Sequence, residues 1–290
     1  MAGVRIDGNE LAAEIRAEVR EAAKGIAPKP HLVAVLVGDD PASKLYVGAK
    51  AKDCEDSGLR STIHDLPAST SQADLLALIH TLNDDPDVDG ILVQSPLPKG
   101  LDEREIVLNI NPRKDVDCFH PENVGLMVIG QPRFLPCTPA GVQQILIRTG
   151  IDPKGKHVVV VGRSDIVGKP MVNIMLQKQE GANATVTVCH TGTVDMGEYT
   201  RQADILIVAS GRPSTVTREM IKPGAVVINV GINQIDDPTR KSGKRFVGDV
   251  DLEACKDLAS VYTGALNGVG PLTRAVLMQN TLKAATLRAG

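Results

Sequence analysis

Apolar residues along this chain follow two alternating rhythms. Leu11, Ile15 and Val19 recur at four-residue steps and predict a helix from Asn9 to Lys24, whereas His31 to Val37 is a compact apolar run that predicts a strand closed by Gly38-Asp39-Asp40-Pro41. A second helix should start near Ala42, with Tyr46, Lys50 and Cys54 at i, i+4 and i+8 on one face. Gly90-Ile91-Leu92-Val93-Gln94 predicts the next buried strand. It stops at Ser95-Pro96-Leu97-Pro98, where proline cannot continue a ladder, so the polar residues at its end face open space. Turn formers crowd Asn109 to Asp117, and a domain boundary is expected near Phe134-Leu135-Pro136-Cys137-Thr138-Pro139.

Beyond Thr138 the same alternation resumes. It predicts a helix to Thr149, a strand at 157–161, a helix from about Gly168, and strands at Thr185–Cys189, Ile205–Ala209 and Ala225–Val230. A last helix is predicted from Thr273 to Arg288. Strands that alternate with helices indicate the α/β class, with parallel sheets covered by helices. Two lobes are expected. Residues 1–136 with 274–290 form an α/β lobe to which the last helix returns, and residues 137–273 form a doubly wound, Rossmann-like lobe.

Composition narrows the partners. At 290 residues, 42% hydrophobic and 23% charged, the chain can bury a substantial core. A net charge of −3 without a dense Lys/Arg run argues against a nucleic-acid surface and leaves a small molecule as the expected partner. Met1 to Gly8 lacks the apolar stretch of a secretory signal and no 18-residue apolar run occurs, so a cytoplasmic protein with no membrane partner is expected. The five cysteines are scattered and never spaced Cys-x-x-Cys, which predicts reduced thiols and no metal.

The chemistry concentrates in a few segments. Val158-Val159-Val160-Val161 runs into Gly162-Arg163-Ser164 and on to Gly168-Lys169-Pro170, a strand, glycine turn and helix start of the kind that holds a phosphate-bearing ligand. The spacing is Gly-x5-Gly rather than Gly-x-Gly-x-x-Gly. The strand ending at Cys189 delivers His190 and Thr191 where an acid would grip a ribose hydroxyl, and with Arg163 nearby this favours NADP over NAD, although His190 equally fits a satisfied core or surface histidine. Tyr46-x-x-x-Lys50 beside Gln94 fits a desolvated acid/base, but its spacing alone better fits an amphipathic helix edge with its ammonium in water. Asp117 fits either a carboxylate that grips an amidine-like ring edge or a turn residue satisfying its own backbone.

Taken in order, these segments resemble the bifunctional methylenetetrahydrofolate dehydrogenase/methenyltetrahydrofolate cyclohydrolase family of the bacterial FolD type. The resemblance rests on Tyr46-Val47-Gly48-Ala49-Lys50, Gly90 to Pro98, Lys114-Asp115-Val116-Asp117, Pro136-Cys137-Thr138-Pro139, Gly162 to Pro170, Val230-Gly231-Ile232-Asn233, Gly248-Asp249-Val250 and Gly268 to Thr273. It implies a homodimer with a folate lobe and an NADP lobe meeting at a cleft. It also implies roles: Lys50 as central acid/base, Gln94 as its hydrogen-bonding partner, Tyr46 stacking on the folate and Asp117 holding the pterin edge. Pro96, Gly268 and Pro271 would complete the substrate site, and Gly162, Arg163, Ser164, His190, Thr191 and Ile232 would contact the cofactor. The implied reactions convert 5,10-methylenetetrahydrofolate to the methenyl cation with NADP+, and that cation to 10-formyltetrahydrofolate with water.

Three departures from the family pattern carry expectations. Asn9 follows Gly8 where a lysine is usual. Cys118 replaces a glycine after Asp117, which constrains the loop if it needs a positive φ. Thr263-Gly264-Ala265-Leu266-Asn267-Gly268 lacks two prolines, which predicts a more mobile loop and altered folate affinity, while Asn267 can still adopt the left-handed conformation. A nucleotide-binding sensor that has lost folate chemistry and a dehydrogenase-only enzyme are the competing readings. Tyr46, Lys50, Gln94 and Asp117 occurring together count against the former, and Lys50 with Gln94 against the latter.

Overall fold

The computed structural model describes residues 2–240 and 243–289. Along the chain run β1 (Val4–Ile6), α1 (Gly8–Ala23), β2 (His31–Val37), α2 (Pro41–Asp56), β3 (Arg60–Leu66), α3 (Gln72–Asp84), β4 (Gly90–Val93), α4 (Glu103–Asn109) and α5 (Pro121–Val128). There follow α6 (Cys137–Arg148), β5 (His157–Val161), α7 (Gly168–Leu176), β6 (Thr185–Cys189), α8 (Met196–Thr200), β7 (Ile205–Val208) and β8 (Val226–Asn229). The remaining elements are β9 (Asn233–Asp236), β10 (Lys244–Val247), α9 (Leu252–Leu258), β11 (Val261–Thr263) and α10 (Val269–Ala289).

The chain divides into two compact units. One comprises Ala13–Cys137 with the residues from Arg274 on, and the other the residues up to Ala12 with Thr138–Thr273. In the first, a three-stranded sheet has the order β3-β2-β4, with every pair parallel. β2 is its central strand, and its run from Leu32 to Val37 is buried throughout, as a continuous apolar strand in a covered parallel sheet requires. Val33, Val35, Leu75, Ile79, Ile91 and Ile106 form its core, joining β2 and β4 to α3 and α4. α2 starts at Pro41 because Asp40 caps it, its carboxylate accepting the Ser43 N–H at 2.7 Å.

In the second unit a six-stranded parallel sheet has the order β1-β11-β8-β7-β5-β6. β5 and β7 are buried from Val158 to Val161 and from Ile205 to Val208, and they flank the point at which the strand order reverses. Ligands bind such sheets beyond the carboxyl ends of the strands at that point. Here the structure corrects the expected first lobe. Residues up to Ala12 group with 138–273, because β1 pairs in parallel with β11, Val4 opposite Val261 and Ile6 opposite Thr263. α10 also begins earlier than expected, at Val269 rather than Thr273.

Candidate functional site

α2 presents the Tyr46, Lys50 and Cys54 face as a gradient. Tyr46 is 46% exposed, Lys50 half-buried, and Cys54 buried with its thiol pushed up to about 12, chiefly by lost hydration. The Lys50 Nζ donates to Gln94 Oε1 at 2.9 Å. Gln94 sits immediately past β4, where its backbone N–H still bonds to Val35 at 2.9 Å, and its side-chain NH2 donates to the Ser95 carbonyl at 2.5 Å. That second bond turns the amide so that its oxygen faces the lysine. One ammonium donor is thus fixed on Gln94. Pro96 follows as an exposed residue at the end of this strand.

Asp115 and Asp117 are two residues apart and do different work. Asp115 is buried and accepts the N–H groups of Phe119 at 3.1 Å and His120 at 2.9 Å and the amide of Asn123 at 2.8 Å. It is the acid that satisfies its own loop. Asp117 accepts a single long contact from the Cys137 thiol, 3.5 Å to Oδ1, and lies within Coulombic reach of Lys50. Burial raises its carboxyl above the ordinary value, with the Lys50 charge opposing, Asp115 reinforcing and the Cys137 contact opposing. Burial also lifts the Cys137 thiol far above its usual range, so it remains an S–H donor.

Asn280 of α10, which sequence reasoning missed, holds this loop in place. Its NH2 donates to the Val116 carbonyl at 2.7 Å and to the Leu135 carbonyl at 2.9 Å. The first of these oxygens belongs to the residue just before Asp117. Cys118, the residue just after it, has φ of 62°, so the positive φ that glycine would supply is present without the glycine.

In the six-stranded unit the ends of β5, β6 and β7 enclose a cavity of about 320 Å³. Gly162, Arg163, Ser164, His190 and Thr191 line it together, and none of its lining residues is an acid. The Gly-x5-Gly spacing has a geometric cause. Gly162 turns with φ of 131°, and a Cβ on Gly168 would strike the Gly162 carbonyl, so the helix start closes directly on the strand end. The Ser164 hydroxyl accepts the N–H groups of Val167 at 3.2 Å and Gly168 at 3.3 Å. His190 Nδ1 accepts the Gly192 N–H at 3.1 Å, which leaves the ring proton on Nε2.

Arg212 is a second cation in this lining, contributed by the Ser210-Gly211 turn after β7. A glycine turn at a strand end was its only sequence signal. Ile232 stands apart from the cavity lining, exposed in the turn between β8 and β9. Gly268 and Pro271 lie at the start of α10 in this unit, whereas Tyr46, Pro96 and Asp117 belong to the other. The proline-poor loop is tied at two points: the Arg5 guanidinium donates to the Leu266 carbonyl at 3.1 Å and the Gly8 N–H to the Asn267 carbonyl at 2.7 Å. Asn267 adopts φ of 58°, the left-handed conformation expected of it. Among the described residues no cluster of His, Cys, Asp and Glu could hold a metal ion, and no helix is long and apolar enough to cross a membrane.

Comparison with known proteins identifies both halves of the chain. Residues 6–117 match the catalytic domain, and residues 136–289 the NAD(P)-binding domain, of tetrahydrofolate dehydrogenase/cyclohydrolase. The bifunctional protein FolD of Prosthecochloris aestuarii is 53% identical over 284 residues, covering 96% of each chain. Among solved structures, the bifunctional enzyme FolD of Campylobacter jejuni superposes with a TM-score of 0.91 at 45% identity, covering 99% of this chain and 100% of that one. The Trypanosoma brucei methylenetetrahydrofolate dehydrogenase-cyclohydrolase, complexed with NADP cofactor and inhibitor, gives a TM-score of 0.92 at 35% identity, covering 100% of this chain and 99% of that one. The chain belongs to the tetrahydrofolate dehydrogenase/cyclohydrolase family.

Proposed function

We propose that this protein oxidises 5,10-methylenetetrahydrofolate to the 5,10-methenyl cation with NADP+ and hydrolyses that cation to 10-formyltetrahydrofolate. The observation that carries the reading is the Lys50–Gln94 pair, with Asp117 within its Coulombic reach, in a chain whose other unit holds an acid-free cavity lined by Arg163 and Arg212. Two guanidiniums, an imidazole and several hydroxyls without a carboxylate suit a ligand bearing phosphates, and a 2′-phosphate in particular. Bound there, NADP+ supplies the hydride acceptor, so the protein's task in oxidation is alignment.

Hydrolysis needs proton transfer, and Lys50 is placed for it. Water bonds to the methenyl carbon and passes a proton to neutral Lys50; the carbon–N5 bond then breaks as that proton moves to N5, and the remaining hydroxyl proton leaves to solvent as the formyl C=O forms. A permanently charged lysine would repel the cationic substrate, so Lys50 is neutral for part of the cycle. Gln94 fixes the amine without neutralising it. Asp117 presents its acceptors to the ring-edge N–H donors of the pterin, and Tyr46 offers an exposed ring for stacking. Pro96, Gly268 and Pro271 are further substrate-binding residues of this reading, and Ile232 is a further cofactor-binding one. A cytoplasmic homodimer completes the proposal.

Incubation with methylenetetrahydrofolate and NADP+ or NAD+, following the reduced nucleotide and the methenyl absorbance together, tests both steps. NADPH formation with only transient methenyl absorbance is expected. A persistent methenyl band would leave a dehydrogenase only, and no reduced nucleotide would refute the dehydrogenase reading.

A further inference from the structure

We propose that Asp249 is the positioning residue of the cofactor cavity: its carboxylate clamps the loops after β7 and β8 in the shape that binds NADP. This deepens the cofactor reading above and rests on it. Asp249 is fully buried. One carboxylate oxygen accepts the backbone N–H groups of Ser210 at 2.7 Å and Gly211 at 2.8 Å, and the other accepts the Asn233 amide at 2.7 Å. The first loop leads directly into Arg212, and Ser210 and Arg212 both line the cavity. Asn233 is the first residue of β9, directly after the turn that contains Ile232, so the clamp ties the cavity-lining loop to the start of that strand.

The clamp has its own support. The Asp249 N–H donates to Asn229 Oδ1 at 2.7 Å, and the Asn229 NH2 donates to the Gly231 carbonyl at 2.9 Å. Asn229 is anchored in turn by the Thr263 hydroxyl, which accepts its N–H at 2.8 Å. Gly231 leaves the room the carboxylate occupies, since a Cβ there would collide with it. No lysine or arginine pairs with Asp249 among the described residues. Its charge is therefore offset by N–H donors, all three of which need an acceptor. An amide serves them only in part: its oxygen can accept the two loop N–H groups, but its NH2 then faces the Asn233 NH2, and the charge that strengthens all three bonds is gone.

The decisive experiment is calorimetric titration of the full chain and of Asp249→Asn with NADP+, alongside steady-state dehydrogenase kinetics and thermal melting. Loss of a hydrogen bond to a charged group predicts a Kd for NADP+ raised about tenfold or more, with KM rising in proportion and kcat within about threefold. A merely structural role would lower the melting temperature and the active fraction, hence kcat, and leave KM and Kd unchanged. Asn233→Ala removes one donor and keeps the carboxylate; it should raise Kd roughly two- to fivefold and carries the test if Asp249→Asn does not fold. Native binding together with equal binding by the variants overturns this proposal alone. Failure of the native chain to bind either NADP+ or NAD+ overturns the cofactor reading, and this proposal with it.

Discussion

Asp249 and Asp117 are both shielded carboxylates, one in each unit, and their surroundings differ in kind. Asp249 receives three N–H donors, whereas Asp117 receives one long thiol contact at 3.5 Å and keeps acceptor capacity free. The same division runs through their neighbours. Around the proposed cofactor cavity Ser164, His190 and Thr193 accept backbone N–H groups and fix the strand-end turns. Beside Asp117, Lys50 has one donor placed on Gln94 and two N–H positions to offer. A cofactor that must dock in one pose is served by a satisfied frame. A substrate that must exchange protons is served by groups held in place with valences to spare.

Lys50→Met should break the comparison most sharply if it is wrong. Methenyl hydrolysis should fall by roughly a thousandfold, the range of positioned acid/base catalysis, while the Kd for NADP+ stays within about twofold. Hydrolysis retained within about tenfold would remove Lys50 from the chemistry.

Asp117→Asn comes next. It exchanges an acceptor for a donor at the proposed pterin edge, so KM for the folate should rise roughly 10- to 100-fold. Stability should move the other way. Burial holds the Asp117 carboxyl above its ordinary value, so the unfolded chain releases this proton at lower pH than the native chain. The contribution of Asp117 to stability is therefore present below the unfolded pKa and lost as pH rises through the folded one. The variant should melt at or above the native temperature at pH 8, with the difference closing toward pH 4. A variant that melts well below the native chain at pH 8 would show that Asp117 is a structural acid like Asp115.

In the cofactor unit, Arg212→Gln removes one guanidinium and leaves the loop backbone that Asp249 holds. About tenfold weaker NADP+ binding with NAD+ nearly unchanged is expected, the scale of one charge-assisted hydrogen bond. Equal losses for both nucleotides would place Arg212 against a part of the cofactor they share.

The two regions also differ in how much of them the sequence discloses. The buried strands β2, β5 and β7 were legible because a continuous apolar run has few alternatives in a covered parallel sheet. Tyr46 and Lys50 were legible as helix-face neighbours. What stayed hidden depends on partners far along the chain. β1 joins β11 across more than 250 residues, and Asn280 reaches back to Val116 and Leu135. Nothing local distinguishes Asp115 from Asp117 either; only the placement of Phe119, His120 and Asn123 makes the first the loop's own acid.

The smallest expected effect concerns backbone strain. The cofactor unit places Gly162 at φ of 131°, whereas the catalytic unit places Cys118 at φ of 62°, directly after Asp117. A side-chain-bearing residue in that left-handed region costs about 1–2 kcal/mol, and glycine avoids it. Cys118 recovers part of this through its buried thiol, which donates to the Phe134 carbonyl at 3.3 Å. Cys118→Ala loses that bond and keeps the strain; Cys118→Gly loses the bond and releases the strain. The glycine variant should therefore melt above the alanine variant by the equivalent of ~1 kcal/mol, roughly 2–4 °C, despite the greater freedom glycine gives the unfolded chain. The reverse order would mean that the loop holds Cys118 at positive φ without strain, and the contrast with Gly162 would then be one of composition alone.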